Sequence, residues 1–259
     1  MGGAGMEPIR RDFLPGDLEP ELRAAGMDGA VSVQARQTLE ETNWLLDLAE
    51  QHAFLRGVAG WAPLAEPGVA GVLEQFAGRT KLKALRHILH DEPDDDYMLR
   101  ADFNAGVSLL NRFSLAYDIL IFERHLPQTM RFVDLHPNQV FVVDHIAKPR
   151  IRDGEISPWR ENIAELARRQ NVYCKLSGMV TEANWQTWRP GDFQPYFDTV
   201  LEAFGPARLM FGSDWPVLML AGTYRKWREV VSGMISALSP SERDRIMGGT
   251  AEEAYRLNR

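Results

Sequence analysis

Cysteine is nearly absent from the 259-residue chain, which contains only Cys174. A single cysteine excludes an intrachain disulfide and is typical of proteins of the reducing cytoplasm. The sequence also lacks an apolar run near the roughly 20 residues that a membrane span requires. Residues 1–6 have neither the basic start nor the apolar centre of a signal peptide. We therefore expect a cytoplasmic protein without a membrane partner.

Positive charge is also in deficit, with 29 lysines and arginines against 36 aspartates and glutamates and a net charge of −7. This balance disfavours nucleic acid and anionic membrane surfaces as partners. An acidic total still allows a locally basic pocket for an anionic ligand. We therefore expect the partner to be a small-molecule substrate.

Internal repeats, low-complexity segments and interdomain linkers are absent as well. The composition, 45% hydrophobic and 25% charged, is that of an ordinary globular protein. A barrel of eight strand–helix units takes about 250 residues, so one domain is the simplest expectation. We assign residues 17–259 to a single barrel domain and residues 1–16 to a flexible leader or loop remnant.

Short apolar runs rich in β-formers alternate with longer segments of helical periodicity. Several runs, such as residues 116–122, are apolar on both faces, which is typical of parallel strands buried between two layers. Strict alternation of strand and helix predicts parallel pairing and an α/β fold. The predicted strands cover residues 31–33, 54–61, 82–88, 116–122, 140–144, 172–176 and 209–211.

Seven strands are predicted, whereas a closed (β/α)8, or TIM-type, barrel has eight. The stretch before the first predicted strand contains one amphipathic helix, about residues 18–25, and no buried strand. We therefore expect either an open seven-strand variant or a (β/α)8 barrel with strand one missing from this sequence. The unpaired edges that a missing strand would leave invite self-association into a homo-oligomer.

The strongest local pattern is FGSDWP, residues 211–216, at the end of the last predicted strand. Ligands of barrels and open α/β sheets gather at the carboxyl ends of the strands. Asp214 at that place can accept a proton from water or bind a metal ion, with Trp215 and Pro216 fixing the turn. The alternative is that Asp214 only caps the helix that follows.

A second pattern is VVDHIAKP, residues 142–149, in which His145 closes a buried strand and Lys148 follows in the same loop. An imidazole and an ammonium group at a strand end can polarise a carbonyl or hold an anionic group. The alternative is a hydrogen-bonded core histidine beside a surface lysine.

A third pattern, LRHILHDEPDDD, contains Arg86 and His87 at the end of a predicted strand. Because side chains alternate along a strand, one of the two points into the barrel and the other toward the helices. We expect His87 to face the site, since an inward arginine would require a buried counter-ion. His90, in the following loop, is a weaker candidate.

A fourth pattern is CKLSGMVTEANW, residues 174–185. Lys175 and Ser177 project to the same side of their strand, and the long loop after them could serve as a lid. Cys174 has no base nearby in the sequence, so we expect an inert buried thiol.

A catalytic zinc site typically uses three protein ligands and a water molecule. The sequence offers His145, His87 and Asp214, all from different strands, and it has no His-x-His pair. We therefore expect that no cofactor is required, or that one divalent metal such as zinc is bound. The candidate metal ligands are His145 and Asp214.

Taken together, the four patterns resemble the amidohydrolase-related lactonases, the amidohydrolase 2 family that includes L-fucono-1,5-lactonase and related predicted metal-dependent hydrolases. The resemblance runs from about residue 10 to the terminal GGTAEEAYRL. It implies a (β/α)8 barrel of carbohydrate metabolism that hydrolyses a lactone ring. In this family the aspartate of the last strand, here Asp214, would activate water, and His145 and His87 would bind or polarise the carbonyl or a metal.

The same resemblance makes Arg86, Lys148 and Trp215 candidate contacts to substrate. The chain departs from the family at its front, where members carry an Asp-x-His-x-His strand that has no counterpart here. Three functions therefore stay open. The leading one is a hydrolase of a small, sugar-acid-like lactone; the others are a metal-dependent amidohydrolase or decarboxylase on the same barrel, and a catalytically inactive truncated barrel that acts as a binding protein.

Overall fold

A single parallel sheet organises the protein in a computed structural model, which describes residues 5–257. The seven strands lie side by side in chain order, and every neighbouring pair is parallel. The strands are β1 (Ala30–Val33), β2 (Leu55–Gly60), β3 (Leu82–Ile88), β4 (Ala116–Leu120), β5 (Phe141–Val143), β6 (Val172–Leu176) and β7 (Leu209–Phe211).

Helices occupy the connections between the strands, which confirms the α/β class that the alternating pattern predicts. One helix precedes β1, and three follow β7, the last two joined by a π-helical turn at Arg245–Gly249. The helices are α1 (Pro15–Ala25), α2 (Leu39–Gln51), α3 (Val69–Gln75), α4 (Ala101–Val107), α5 (Leu126–Asp134), α6 (Trp159–Leu166), α7 (Met179–Glu182), α8 (Pro190–Phe204), α9 (Tyr224–Met234), α10 (Pro240–Asp244) and α11 (Thr250–Ala254).

The sheet curls around an inner apolar cluster and forms a half-barrel. The cluster draws on all seven strands and on α11, and the side chains on this face also meet across intervening strands, as where Lys175 of β6 contacts Asp118 of β4. A second, larger cluster lies between the outer face of the sheet and the helices. The inner cluster contains Val31, Ala59, Ala84, Ala116, Val142, Tyr173, Met210, Ala254 and Tyr255.

The centre of the sheet is buried on both faces, whereas its first strand is not. All five residues of β4 are buried, while all four residues of β1 are half-buried. Full burial of β4 agrees with the two-sided apolar pattern of its sequence. Since β1 and β7 end the strand order, each pairs with one neighbour among the described strands.

The structure describes the predicted leader, residues 1–16, from residue 5 onward. Residues 1–4 lie outside the described residues; beyond them, Glu7–Ile9 forms a 3-10 turn with Ile9 buried, and α1 begins at Pro15. Within residues 5–257, no helix has both the length and the apolar character needed to cross a membrane.

Thr42 ties α2 to the end of β2. Its fully buried hydroxyl accepts a hydrogen bond from the Trp61 amide at 2.8 Å and donates one to the Trp61 carbonyl at 2.9 Å. Both backbone groups lie just past the last residue of β2. The threonine side chain therefore replaces the strand partner that these two groups would otherwise need.

Replacing Thr42 by valine keeps the shape of the side chain and leaves both Trp61 groups without a partner. An unmade buried hydrogen bond costs roughly 1–3 kcal/mol. We therefore expect Thr42→Val to lower the free energy of unfolding by an amount in that range, as measured by denaturant titration.

The matched control is Thr199→Val on α8, where an exposed threonine hydroxyl donates only to the Pro195 carbonyl of its own helix, at 2.8 Å. This variant should change the free energy of unfolding by less than about 0.5 kcal/mol. Equal losses in the two variants would contradict the role given to Thr42.

Candidate active site

The turn after β5 carries two of the predicted site residues in an unusual backbone conformation. His145, Ile146, Ala147 and Lys148 follow one another with φ values of 54°, 48°, 61° and 48°. A left-handed conformation costs roughly 1–2 kcal/mol per residue, so the surrounding structure has to hold this turn. One such restraint is the buried indole N–H of Trp159, which donates to the Ile146 carbonyl at 2.8 Å.

The imidazole of His145 is fixed by residues that follow β6. Its Nδ1 lies 2.8 Å from the Ser177 hydroxyl, and both side chains are buried. Gly178 adopts φ 67°, and a Cβ added there would approach the imidazole Cγ to 2.6 Å. The ring therefore lies directly against a glycine backbone, and no larger residue fits at that position without moving it.

Asp214 follows β7 and also has a left-handed backbone, with φ 56°. Its Oδ1 lies 3.7 Å from His145 Nε2. This separation is too long for a direct hydrogen bond, and it leaves both groups able to contact a third oxygen atom. The structure thus brings two predicted site residues from different strands to one place at the carboxyl end of the sheet.

Burial changes the ionisation of both groups. It raises the pKa of Asp214 to about 7, against the opposing effect of the positive charges of Lys148 and Arg86. It lowers the pKa of His145 to about 3, against the opposing effect of the charge of Asp144. At neutral pH the pair therefore consists of an uncharged imidazole and a carboxyl group near the midpoint of its titration.

The prediction that His87 faces the site and Arg86 faces away is wrong. Arg86 points to the inner face of the sheet, where Nη1 donates to Asp144 Oδ2 at 2.8 Å and Nη2 donates to the carbonyl of Gln34. The expected obstacle, the lack of a buried counter-ion, does not exist, because Asp144 at the end of β5 supplies one.

His87 lies on the outer face of β3, in the layer between sheet and helices. Its Nε2 is 2.6 Å from Glu92 Oε1, its Nδ1 accepts a hydrogen bond from the Trp61 indole at 3.3 Å, and its ring stacks on Tyr97 at 5.0 Å. These contacts satisfy both ring nitrogens away from His145 and Asp214. The structure therefore does not bring His87 together with the other two.

Lys148 and the weaker candidate His90 lie at the rim, near one phenyl ring. Lys148 Nζ forms an ion pair of 2.9 Å with Glu182 and lies 5.6 Å from the centre of the Phe122 ring, on which His90 stacks at 4.6 Å. The charges of Lys148 and Glu182 both act on the pKa of Asp214. Glu182 is a further candidate site residue, which the sequence patterns did not single out.

Trp215 lies next to Asp214 and half-buried, with its ring edge-to-face against Phe13 at 5.2 Å. Its backbone N–H donates to the Ser213 hydroxyl at 3.2 Å. The contact between Phe13 and Trp215 places the segment before α1 beside the turn that carries Asp214.

The inner face of the sheet below the site contains a line of ion pairs. Lys175 Nζ lies 2.6 Å from Asp118 Oδ2 and 2.6 Å from Asp144 Oδ1, and Asp144 in turn binds Arg86. We call these four residues, Arg86, Asp144, Lys175 and Asp118, the interior ion-pair chain. Three of the four lie within the sequence patterns described above. Asp118, which those patterns do not contain, is a charged residue inside the apolar run at residues 116–122.

The residues near the site do not complete a catalytic zinc site of the usual kind. His145 and Asp214 would supply two protein ligands, whereas catalytic zinc typically takes three. The Nδ1 of His145 is engaged by Ser177, and the nearby Asp144 is engaged by two cations. Across residues 5–257, no group of three or more His, Cys, Asp or Glu side chains is disposed to hold a metal ion.

Comparison with known proteins places the chain among hydrolases. A family model described as amidohydrolase matches residues 4–257. An L-fucono-1,5-lactonase of Burkholderia multivorans is 41% identical over 266 residues, covering 98% of this chain and 90% of the relative. An L-fucono-1,5-lactonase of Burkholderia ambifaria is 36% identical over 263 residues, covering 98% and 89%.

The three-dimensional likeness is as extensive. The crystal structure of an amidohydrolase from Burkholderia multivorans with bound zinc matches with a TM-score of 0.94 and 41% identity, over 98% of this chain and 92% of that chain.

The contact between Gly178 and His145 can be tested by adding one methyl group. Gly178→Ala should displace the imidazole and change the 15N chemical shifts of its ring, because the new Cβ would occupy the position of the ring. The control is Gly154→Ala, at φ 68° with no atom within 4 Å of the added Cβ. Both variants carry the same backbone penalty, so unchanged His145 shifts in Gly178→Ala would contradict the arrangement.

Proposed function

We propose that this chain, which belongs to the amidohydrolase family, hydrolyses the ring ester of a small, hydroxylated, sugar-acid lactone. The observation that carries the proposal is the approach of Asp214 Oδ1 to His145 Nε2, 3.7 Å apart at the carboxyl ends of β7 and β5. The two relatives named as L-fucono-1,5-lactonases support the substrate class.

Asp214 is the general base in this proposal. A pKa of about 7, raised by burial, suits a base that must take a proton from water and later release it at neutral pH. The carboxylate removes one proton from a water molecule, and the oxygen of that water attacks the carbonyl carbon of the lactone. The carbonyl π electrons move to the oxygen, which becomes an oxyanion.

His145 and Arg86 stabilise that oxyanion. In the tautomer that we propose, the Ser177 hydroxyl donates to Nδ1 of His145, so Nε2 carries the proton and can donate to the substrate oxygen. Arg86 adds a fixed positive charge, which already acts on the pKa of Asp214. Donors that are held in place before the reaction stabilise developing charge without having to reorganise.

Ring opening completes the reaction. The oxyanion reforms the carbonyl, the bond between the carbonyl carbon and the ring oxygen breaks, and protonated Asp214 returns its proton to the departing alkoxide. The product is a hydroxy acid, and Asp214 is again a carboxylate. This sequence of steps uses protein side chains alone, since His145 and Asp214 supply only two of the three protein ligands that a catalytic zinc ion usually has.

The hydroxyl groups of the substrate would meet the rim of the site. Trp215 follows Asp214 in the sequence, and Lys148 is close enough in space for its charge to act on the pKa of Asp214. We propose that Lys148 contacts substrate oxygens and that Trp215 contacts the apolar face of the substrate ring. Both are half-buried, so each has surface available to a ligand.

We also propose that the curled sheet is the greater part of a (β/α)8 barrel forming one domain over residues 17–259, with the place of the remaining strand between β7 and β1. The high structural similarity to the Burkholderia multivorans amidohydrolase supports this. A cytoplasmic location suits the single, buried thiol of Cys174.

Substituting Asp214→Asn removes the base and keeps the size of the side chain. We expect kcat for lactone hydrolysis to fall by about 10²–10⁴-fold, the usual contribution of general base catalysis. The control is Asp198→Asn on the exposed surface of α8, which should leave kcat unchanged. Near-normal turnover by Asp214→Asn would refute its assigned role, and an inactive wild-type chain would favour the binding-protein alternative.

The pH dependence provides an independent check. Since the active form of Asp214 is the carboxylate, kcat/KM should rise with pH through a midpoint of about 7 and then level off, after subtraction of spontaneous hydrolysis. A flat profile between pH 5 and 9 would contradict the assignment.

Stability should show the opposite trend. The pKa of Asp214 is raised in the folded protein from its ordinary value of 3.8 to about 7, so the folded state retains a proton that the unfolded state has lost. Stability from this group is therefore full below about pH 4 and is lost as pH rises through 7. Asp214→Asn should accordingly be more stable than wild type at pH 8, and this difference should shrink toward pH 4 in denaturant titrations.

A further inference from the structure

The interior ion-pair chain ends on a tyrosine from the opposite end of the molecule. The hydroxyl of Tyr255, just after α11, donates to Asp118, with 2.9 Å to each carboxylate oxygen. Tyr255 belongs to the inner cluster with Ala116 and Val142, near the starts of β4 and β5. Its ring thus lies toward the amino-terminal ends of the strands, whereas His145 and Asp214 lie at their carboxyl ends.

An unbroken series of short contacts connects that tyrosine with the site. Asp118 is 2.6 Å from Lys175, Lys175 is 2.6 Å from Asp144, and Asp144 is 2.8 Å from Arg86. The two aspartates are fully buried, and the side chains of Arg86 and Lys175 are each only 11% exposed. Few water molecules can reach these groups to replace a partner that is lost.

The charges of the interior ion-pair chain balance, because it contains two carboxylates and two cations. Each aspartate has two supports: Asp144 lies between Lys175 and Arg86, while Asp118 lies between Lys175 and the uncharged hydroxyl of Tyr255. Burial raises the pKa of Asp118 against the opposing charge of Lys175, so this carboxylate depends on the donors around it. The hydroxyl is the one support in the series that carries no charge of its own.

We propose that Tyr255 is a positioning residue for the reaction at the far end of the sheet. Its hydroxyl fixes Asp118, Asp118 holds Lys175 between the two aspartates, and Asp144 is thereby kept where it orients the guanidinium of Arg86. Without the hydroxyl, Lys175 becomes the sole polar partner of Asp118, and the carboxylate is free to rotate and carry the ammonium group with it. Asp144 then loses part of its support and draws Arg86 out of place. The catalytic consequence rests on the proposed function, in which Arg86 stabilises the oxyanion.

The packing of the C-terminal segment does not depend on this hydroxyl. Lys175 Nζ lies 5.5 Å from the centre of the Tyr255 ring, and a phenylalanine would keep that contact. α11 has anchors of its own: Thr250 donates to the Ala207 carbonyl at 3.3 Å, and Glu253 binds both Tyr173 and Arg245 at 2.8 Å. Tyr255→Phe is therefore expected to fold.

The chain offers a matched control in Tyr173. Its hydroxyl also donates to a carboxylate, that of Glu253 at 2.8 Å, and it also ties the sheet to α11. Glu253 has no contact with the interior ion-pair chain and pairs instead with Arg245. Tyr173→Phe thus removes another tyrosine–carboxylate hydrogen bond between the sheet and the C-terminal segment, without touching the line to Arg86.

The experiment compares the two variants by lactone kinetics and by NMR of the Arg86 side-chain Nε–H. For Tyr255→Phe we expect kcat to fall about tenfold or more with KM within about twofold, because misplacing a group that acts on the transition state affects turnover. The Arg86 resonance should shift in the same variant. Tyr173→Phe should leave kcat, KM and that resonance unchanged.

An unshifted Arg86 resonance in Tyr255→Phe, or equal effects in both variants, would overturn the positioning role. A wild-type chain that hydrolyses no lactone would overturn the proposed function alone, and the Arg86 resonance would then decide the positioning role. Should Tyr255→Phe fail to fold, Asp118→Asn tests the next link of the series, since it keeps an acceptor for the tyrosine but removes the charge that holds Lys175. That variant must also shift Arg86 for the proposal to stand.

Discussion

The arrangement of the site depends on one buried constraint, the placement of Lys175 between Asp118 and Asp144. Charges removed from water are tolerated only when they are paired with good geometry, and breaking such a pair typically costs 3–5 kcal/mol. The constraint joins β4, β5 and β6 on their inner face and extends to β3 through Arg86. The strand ends are therefore held at fixed positions before any ligand arrives, which is the condition for electrostatic stabilisation of a transition state.

Much of this arrangement follows from periodicity alone. Two-sided apolar runs alternating with helical segments require parallel strands between layers, and parallel strands place all their carboxyl ends on one side. The meeting of His145 and Asp214 is a consequence of that rule. The same side of β6 presents Lys175 and Ser177, as alternation along a strand predicts. They contact Asp144 and His145, the two residues that follow the neighbouring strand β5.

Other features depend on pairings between distant segments, which no local pattern contains. The direction of Arg86 was misjudged because the rule against inward arginines fails when another strand supplies the counter-ion, here Asp144. Asp118 lies in a run whose pattern predicts only an apolar strand, and its partner Tyr255 is close to the other end of the sequence. The ion pair of Lys148 with Glu182 likewise joins the turn after β5 to the end of α7. The sequence contains no local indication of the left-handed turn at residues 145–148, since none of these residues is a glycine.

In that turn, the stability of the fold and the orientation of the His145 imidazole make opposing demands on the backbone. Relaxing its four left-handed residues to ordinary conformations would make the fold harder to melt, but it would swing the imidazole of His145 away from Ser177. Selection for thermal stability alone would therefore favour substitutions that relax this segment. Its preservation in descendants of the chain would indicate continuing selection on the direction of a single ring, and its replacement by a regular turn would be an early sign that this selection had ended.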